Sequence, residues 1–394
     1  MNIPSVDNWL SQFDIADRHL AGHMLKKMRY VSFEEIETWL QNELQNLLAH
    51  IAKESGKSAV AIFPVTKPFI HQFNKSKEVK HPNDSSGRIA HSIKNLERRL
   101  PNHIELTPRP ESMRARKVRH IIFVDDFIGT GDRFISSWQQ VVSKSVKSWC
   151  SHGWCKIWIL AFAGHESGIK RIITRVKPIE SARVWINLRI SKSFISENDS
   201  FVQLIEKYGQ RLFDKKGVLG YGKLLSPIVF QHGCPNNVPN IFWSKASSSK
   251  GRWKPLFPAR SVPPELYPLF SGDLSKEIVA DEIWMAKNYK LAVEIVDRLD
   301  HIGGEHLLLV VLAYLGKNND LGKIRNILVL SDEEFQELLV DLSKYGLINA
   351  QNKITCFGRD VLARFARSSK TAAQPYDNST NFYPATFLGF QREV

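Results

Sequence analysis

The alternation of apolar and polar residues is most informative between residues 120 and 142. Residues 121–124 are all apolar, which predicts a strand buried on both faces. Two acids, Asp125 and Asp126, follow where this strand is expected to end, and a loop with two glycines comes next. Apolar residues then recur at helical spacing and predict a helix that begins near Asp132; they are Phe134, Trp138, Val141 and Val142.

Other apolar runs predict further strands, at residues 59–63, 157–162, 184–188 and 228–230. They alternate with helical patterns, which is typical of βαβ units around a parallel sheet. Ligands of open parallel sheets bind at the carboxyl ends of the strands. A glycine loop before a helix also offers free N–H groups to a phosphate. We therefore predict an α/β fold, a parallel sheet flanked by helices, with Asp125 and Asp126 at its ligand-binding edge.

The chain divides into five predicted segments. Residues 1–53 are expected to form an N-terminal helical layer, and residues 54–250 the α/β domain. Prolines between residues 255 and 268 indicate a linker, so residues 251–302 are assigned to a Pro-rich linker and one helix. Residues 303–370 look like a winged helix-turn-helix domain, with two short β-rich runs as its wing, and residues 371–394 form a polar tail.

The third helix of this winged domain would be the one to enter a DNA groove. It starts at a capping box, Ser331 to Glu334. This helix carries five acidic residues and one lysine, so its net charge is negative and the phosphates of DNA would repel it. The residues are Asp332, Glu333, Glu334, Glu337, Asp341 and Lys344. We therefore expect contact with a protein, or with nucleic acid through basic residues outside this helix: Lys323, Arg325, Arg359, Arg364 and Arg367.

Composition narrows the classes of partner. A net charge of +14 over 394 residues favours polyanions, either phosphorylated small molecules or nucleic acid, and a generic basic surface is the alternative. No apolar run reaches membrane-spanning length, and the first residues lack a signal-peptide pattern. The four cysteines show neither a CxxC pair nor a metal-ligand spacing. We expect a cytoplasmic protein without membrane contact, and no residue is assigned as a direct metal ligand.

The stretch from residue 120 to 134 resembles the phosphoribosyl diphosphate (PRPP) motif of type I phosphoribosyltransferases. The resemblance implies that Asp125 and Asp126 lie near the ribose hydroxyls as catalytic residues. Arg133 stands where that family usually has threonine, so it either replaces a hydroxyl contact with a charge or points away from the phosphate. The alternative without chemistry is that the acids cap a helix. The implied 5′-phosphate loop is Phe127, Ile128, Gly129, Thr130, Gly131, Asp132 and Arg133.

The loop after the first predicted strand carries Thr66 and Lys67. In type I phosphoribosyltransferases the loop at this place contacts the diphosphate of PRPP, so the resemblance implies the same role for these two residues. A surface loop with an incidental lysine explains them equally well. The resemblance also implies a Mg²⁺ ion that bridges the diphosphate to protein or water oxygens.

A second informative stretch follows the run at 228–230. It is rich in turn residues and ends on aromatic ones. With the Asp-Asp-x-x-Gly-x-Gly loop and the start Trp9-Leu10-x-x-Phe13, it resembles a bacterial phosphoribosyltransferase-like family of conflict and anti-phage gene clusters, including some retrons. The alternative is a rigid turn held by asparagine side chains. By resemblance, the residues on the second-substrate side are His232, Asn236, Asn237 and Trp243.

Two hypotheses for function follow. The first is an enzyme, an anti-phage effector that transfers or cleaves a glycosidic bond of PRPP or a related nucleotide under the control of a partner. In a retron that partner would be a reverse transcriptase with its RNA–DNA product. The second is a non-catalytic regulator that senses a phosphorylated ligand and passes the signal to nucleic acid or protein through the winged helix. The acceptor and the oligomeric state stay open.

Overall fold

The computed structural model of the chain describes most of its length. The described residues are 3–66, 85–96, 100–140, 142–191, 195, 199–212, 215–245, 253–271, 276–298, 306–317, 320–367, 386–387 and 390–391. Lys67, the predicted tail apart from two short strands, and part of the predicted linker lie outside them.

The strands build a parallel sheet, as the alternation of apolar runs predicted. In the described residues they are β1 (Arg29–Val31), β2 (Val60–Pro64), β3 (Ile104–Leu106), β4 (His120–Ile128), β5 (Lys156–His165), β6 (Val184–Ile190), β7 (Ile228–Phe230), β8 (Thr386–Phe387) and β9 (Phe390–Gln391). The main sheet has the order β3-β2-β4-β5-β6 with all neighbours parallel. The run at 228–230 forms a strand, but β7 pairs with β1 outside this sheet.

Helices cover both faces of the sheet and form the C-terminal part. They are α1 (Pro4–Leu10), α2 (Ile15–Lys26), α3 (Phe33–Ser55), α4 (Ser85–Leu96), α5 (Pro110–Ala115), α6 (Asp132–Gln140), α7 (Lys144–Ser151), α8 (Glu166–Arg175), α9 (Asp199–Gly209), α10 (Tyr267–Ser271), α11 (Lys276–Met285), α12 (Tyr289–Arg298), α13 (His306–Leu315), α14 (Leu321–Leu328), α15 (Asp332–Lys344) and α16 (Cys356–Arg367). None of the described helices combines the length and the apolar character that crossing a bilayer requires.

The central strand β4 explains why the sheet lies in the middle of the domain. All nine of its residues are buried. Because successive side chains of a strand point to opposite faces, Ile122 and Val124 belong to the core on one side of the sheet. Ile121 and Phe123 belong to the core on the other side. The continuous apolar run therefore supplies both cores at once, as expected for a parallel sheet covered on both faces.

The N-terminal layer is fastened to the end of the α/β domain by aromatic side chains. Trp9 is 1% exposed and stacks on Phe242 with ring centroids 5.1 Å apart. Its indole N–H donates to the carbonyl oxygen of Ile241 at 3.0 Å. Phe13 packs against the edge of Trp9 and against Tyr208. Burial of these large side chains stabilises the layer far more than any local propensity of its helices.

The predicted Pro-rich linker packs differently from the sequence-based expectation. Leu256 and Phe257 are buried in the same core as Trp9. Further along the chain, Ile283 and Leu291 belong to the core of the C-terminal domain. Proline removes one backbone donor and restricts the chain locally, but it does not prevent burial of the apolar residues around it. The described parts of this segment are therefore divided between the two domains.

The C-terminal domain has the helices expected of a winged helix and a minimal wing. At the start of α15 the predicted capping box is confirmed, since the Ser331 hydroxyl accepts from the Glu334 N–H and the Glu334 carboxylate accepts from the Ser331 N–H. The two predicted wing strands are reduced to one antiparallel bridge between Ile348 and Ile354. This domain also includes α11 and α12, which share its core.

Ion pairs join the two domains. Arg29 of β1 contacts Glu35 of its own domain and, at 2.9 Å, Glu334 of α15. Lys27 lies 3.0 Å from Glu282 of α11, and both side chains are almost fully buried. The acidic start of α15 is therefore turned towards the α/β domain.

We expect Trp9→Ala to lower the free energy of unfolding by about 3–5 kcal/mol, because it leaves a large cavity in the core. Chemical denaturation followed by circular dichroism measures this change. Trp154→Ala is the matched control, since Trp154 is 56% exposed, and it should change stability by less than about 0.5 kcal/mol. Equal effects of the two substitutions would show that the N-terminal layer does not depend on Trp9.

Candidate functional site

The acid pair lies inside the central strand and is deeply buried. Asp125 and Asp126 are each 2% exposed. The strand does not end before them, as the sequence suggested, because β4 continues to pair with β5 up to Ile128 beside Gly164. Backbone N–H groups partly satisfy the carboxylates, since the N–H of Asp126 donates to Asp125 Oδ1 at 3.0 Å and the N–H of Phe127 to Asp126 Oδ1 at 2.9 Å.

Arg133 from the first turn of α6 turns back onto this acid pair. Its Nη2 lies 2.8 Å from Asp125 Oδ1 and 3.0 Å from Asp126 Oδ1, and it also donates to the Phe127 carbonyl at 2.9 Å. The two alternatives from the sequence were a contact with the phosphate and a side chain that points away. The structure shows instead a guanidinium that neutralises the acids.

His232 completes the surroundings of Asp126. Its Nε2 lies 2.8 Å from Asp126 Oδ2, and its ring stacks on Phe230. Burial raises the pKa of Asp125 well above the ordinary value of an aspartate, against the opposing charge of Arg133. Burial acts in the same direction on Asp126, but Arg133 and the His232 contact outweigh it and hold the pKa of that carboxyl well below its usual range. A proton shared by the pair therefore favours Asp125 over Asp126.

The loop between β4 and α6 is short. Phe127 and Ile128 belong to β4, and Asp132 and Arg133 to α6, so the loop itself is residues 129–131. Among the described residues, the backbone N–H groups of Thr130 and Gly131 have no hydrogen-bond acceptor. These groups precede a nine-residue helix, whose dipole favours an anion at this end.

Glycines set the position of this loop. Gly131 has φ +80°, and a Cβ added there would lie 2.7 Å from the carbonyl oxygen of Gly168 in α8. A Cβ on Gly168 would lie only 1.9 Å from the Gly129 carbonyl oxygen. Neither position accepts a side chain unless the backbone moves. The sequence showed a glycine at 168, but nothing local indicated that it faces the loop.

Asp132 is held from three sides. The Thr130 hydroxyl donates to its carboxylate at 2.8 Å, Arg171 pairs with it at 2.8 Å, and the Tyr221 hydroxyl donates to it at 3.2 Å. The Thr130 hydroxyl is therefore engaged by the loop itself. Tyr221 and Arg171 were not predicted as site residues, since neither lies near the loop in sequence.

The second informative stretch folds against the loop. A Cβ on Gly129 would lie 2.4 Å from Asn237 Oδ1, and the Asn237 side chain donates to the Tyr221 carbonyl at 2.8 Å. Asn236 accepts from the Tyr221 N–H through its backbone carbonyl at 2.7 Å. The Trp243 indole donates to the Val238 carbonyl at 2.8 Å. Asparagine contacts therefore hold the 232–237 turn, and the same turn packs against the loop at residues 129–131.

These segments enclose one cavity of about 590 Å³. Its lining includes His232, Asn236 and Asn237, which the sequence placed on the second-substrate side. Trp243 and Thr66 are not among the lining residues, and Lys67 lies outside the described residues. The full lining is Asp125, Asp126, Phe127, Ile128, Gly129, Thr130, Gly131, Asp132, Arg133, Phe134, Ser136, Tyr221, Phe230, His232, Gly233, Cys234, Pro235, Asn236, Asn237, Ala259 and Arg260.

The described residues offer no cluster of acidic, histidine or cysteine side chains for the predicted Mg²⁺ ion. Within the described part of the chain, no three His, Cys, Asp or Glu side chains are grouped to hold a metal ion. The acid pair faces Arg133 and His232 instead of an open position. As far as the described residues go, an ion that accompanies a diphosphate would be held by the ligand and by water.

Two family models match separate parts of the chain. A family model described as PRTase-CE, a phosphoribosyltransferase-like family, matches residues 6–259. A second, described as wHTH-PRTase associated, matches residues 309–389. No curated protein and no solved structure gives a significant match. The loop and the 232–237 turn lie inside the first match.

We expect Arg133→Ala to lower the free energy of unfolding by about 3 kcal/mol, because it leaves two buried carboxylates without their cation. Without Arg133 the pKa of Asp125 rises further, and the pKa of Asp126 rises because the main cause of its depression is lost. A raised carboxyl pKa costs stability as the pH increases through it, so the loss should be larger at about pH 8 than at about pH 5. Denaturation curves at both pH values measure this difference.

Arg171→Ala is the matched control for this experiment. Arg171 also pairs with an acid of the site, but its side chain is 49% exposed, so its removal should cost at most about 1 kcal/mol. A loss for Arg133→Ala that is no larger than the control, or that does not depend on pH, would contradict the neutralising role of Arg133.

Proposed function

Since the chain belongs to the PRTase-CE family and carries a winged helix, we propose that it is a phosphoribosyltransferase-like effector of a bacterial anti-phage defence system. It would act on PRPP or a related nucleotide at the acid pair and the glycine loop. The observation that carries this proposal is the shared cavity, where residues 129–131, the acid pair and the 232–237 turn meet.

The loop suits a 5′-phosphate. The N–H groups of Thr130 and Gly131 are free of protein acceptors among the described residues, and the positive end of the α6 dipole lies behind them. Both features stabilise a phosphate dianion without a lysine. The rigid contacts of Gly129 with Asn237 and of Gly131 with Gly168 keep the loop in position before the ligand arrives.

The acid pair suits the sugar. Departure of a leaving group from the anomeric carbon builds positive charge on the ribose, and a fixed negative charge nearby lowers the energy of that state. Asp126 keeps its charge because Arg133 and His232 hold its pKa low. For ribose hydroxyls to reach the carboxylates, Arg133 would have to give up part of its contact with them. A bound phosphate near the start of α6 is an alternative partner for this guanidinium.

The winged helix suits a controlling partner better than a DNA operator. The acidic start of α15 faces the α/β domain, where Arg29 binds Glu334. Arg325, one of the predicted nucleic-acid contacts, pairs with Asp332. In a retron the partner would be a reverse transcriptase with its RNA–DNA product. Contact would use the protein surface or basic side chains such as Arg359, which is exposed.

The second candidate, a non-catalytic regulator that senses a phosphorylated ligand, is favoured by one observation. Arg133 contacts both acids, whereas an enzyme of the phosphoribosyltransferase type needs them for the sugar. In a regulator the ligand would displace Arg133 without any bond being broken. Both candidates predict ligand binding at the same cavity, and only the effector predicts a chemical consequence.

We expect the wild-type protein to bind PRPP in the presence of Mg²⁺, and Asp125→Asn/Asp126→Asn to weaken binding at least about tenfold, because it removes charge-assisted contacts with the sugar. Calorimetric titration measures both affinities. Asp341→Asn is the control, since Asp341 lies on the exposed face of α15. Failure of the wild-type protein to bind PRPP or ribose 5-phosphate would contradict this assignment of the cavity.

The effector and the regulator differ in cells. We expect the wild type to inhibit growth or to protect a bacterial host against phage together with its partner genes, and Asp125→Asn/Asp126→Asn to lose this activity because the sugar chemistry is lost. Growth curves and plaque counts, with equal protein levels confirmed by immunoblot, measure it. Equal behaviour of wild type and double mutant would exclude the effector and leave the regulator.

A further inference from the structure

The cavity has a wall that the sequence assigned to a linker. Leu256 and Phe257 are almost fully buried, and the Phe257 N–H donates to the Phe242 carbonyl at 2.7 Å. Three residues on, the carbonyl of Arg260 accepts from the Cys234 N–H at 2.8 Å. The segment is therefore fixed at Phe257 and at Arg260. Ala259 and Arg260 line the cavity.

The backbone of this wall is strained at the cavity. Ala259 has φ +52° and Arg260 φ +64°, a left-handed conformation that residues other than glycine rarely adopt. Such strain persists only where surrounding contacts impose it, and it is concentrated at functional sites. Here the buried Phe257 and the bond to Cys234 impose it, and they direct the chain so that Arg260 borders the ligand space.

Arg260 differs from the other arginine of the lining. Arg133 is engaged by two carboxylates. Arg260 is exposed, and within the described residues no carboxylate lies at ion-pair distance from it. Its carbonyl accepts from the Cys234 N–H at 2.8 Å and both residues line the cavity, so Arg260 lies beside the 232–237 turn. Among the described residues, no acid neutralises the charge of this arginine of the cavity wall.

We propose that Arg260 binds a second anionic group of the ligand, a phosphate or diphosphate remote from the one held by residues 129–131. The cavity lining otherwise carries three acids, so an anion on this side requires a cation to be bound there at all. Thr66, the predicted diphosphate contact, does not line the cavity. This inference rests on the proposed binding of a phosphorylated sugar, and it names the residue that selects a doubly anionic ligand.

The test compares two probes that differ only at the anomeric position, PRPP and ribose 5-phosphate, by calorimetry on the full chain with Mg²⁺. Arg260→Asn removes the charge with a residue that tolerates left-handed backbone. We expect about tenfold or greater loss of PRPP affinity in this variant, since one charge-assisted contact is lost. Ribose 5-phosphate affinity should stay unchanged, and Arg260→Lys should recover part of the loss.

Lys254→Asn is the matched control, because it removes one exposed cation from the same segment outside the cavity, and it should leave both affinities unchanged. Unchanged PRPP affinity in Arg260→Asn, or an equal loss for both probes, would overturn the role of Arg260 while the cavity assignment stands. Binding of neither probe by the wild type would overturn the proposed function and this inference with it.

Discussion

Two carboxylates buried side by side in the central strand are the constraint on which the site depends. Asp125 and Asp126 occupy positions where a parallel sheet normally carries apolar residues, and two buried charges repel each other strongly. Arg133 and His232, from two different segments, contact these carboxylates. The β4–loop–α6 unit and the 228–237 segment are thereby joined by electrostatics, and the same contacts place the cavity between them. The chemistry of the site and the stability of the domain therefore share one ion-pair cluster.

Close contacts with other segments also fix the loop at residues 129–131. The loop at 129–131 fits between Gly168 of α8 and Asn237 of the turn. A side chain on Gly168 would collide with the loop backbone, and a side chain on Gly129 would displace the Asn237 amide. Tyr221 and Arg171 fix Asp132 at the start of α6. Three segments that are far apart in sequence therefore determine one short loop. A loop held this firmly is preorganised for a ligand, which reduces the cost of ordering it on binding.

Ion pairs connect the winged-helix domain to the α/β domain. Lys27 and Glu282 form a buried ion pair between the domains, and Arg29 connects Glu35 to Glu334. Buried pairs of this kind specify one arrangement, because separation would leave charges without partners. Two of the five acids of the helix that would read DNA are therefore engaged within the molecule, Glu334 by Arg29 and Asp332 by Arg325.

Local patterns in the sequence determined the buried strand, the acid pair, the glycine loop, the helix after it and the capping box of α15, because each depends on residues within a few positions. The 232–237 turn was expected beside the acid pair only from the resemblance to a known family, and the folded chain brings it to the same cavity. Only the tertiary structure decided that Arg133 faces the acids, that Gly168 and Tyr221 hold the loop, that β1 pairs with β7 and that Arg260 lines the cavity. These contacts join residues tens to hundreds of positions apart, and their energies come from burial and charge neutralisation in the folded chain, which no local pattern encodes.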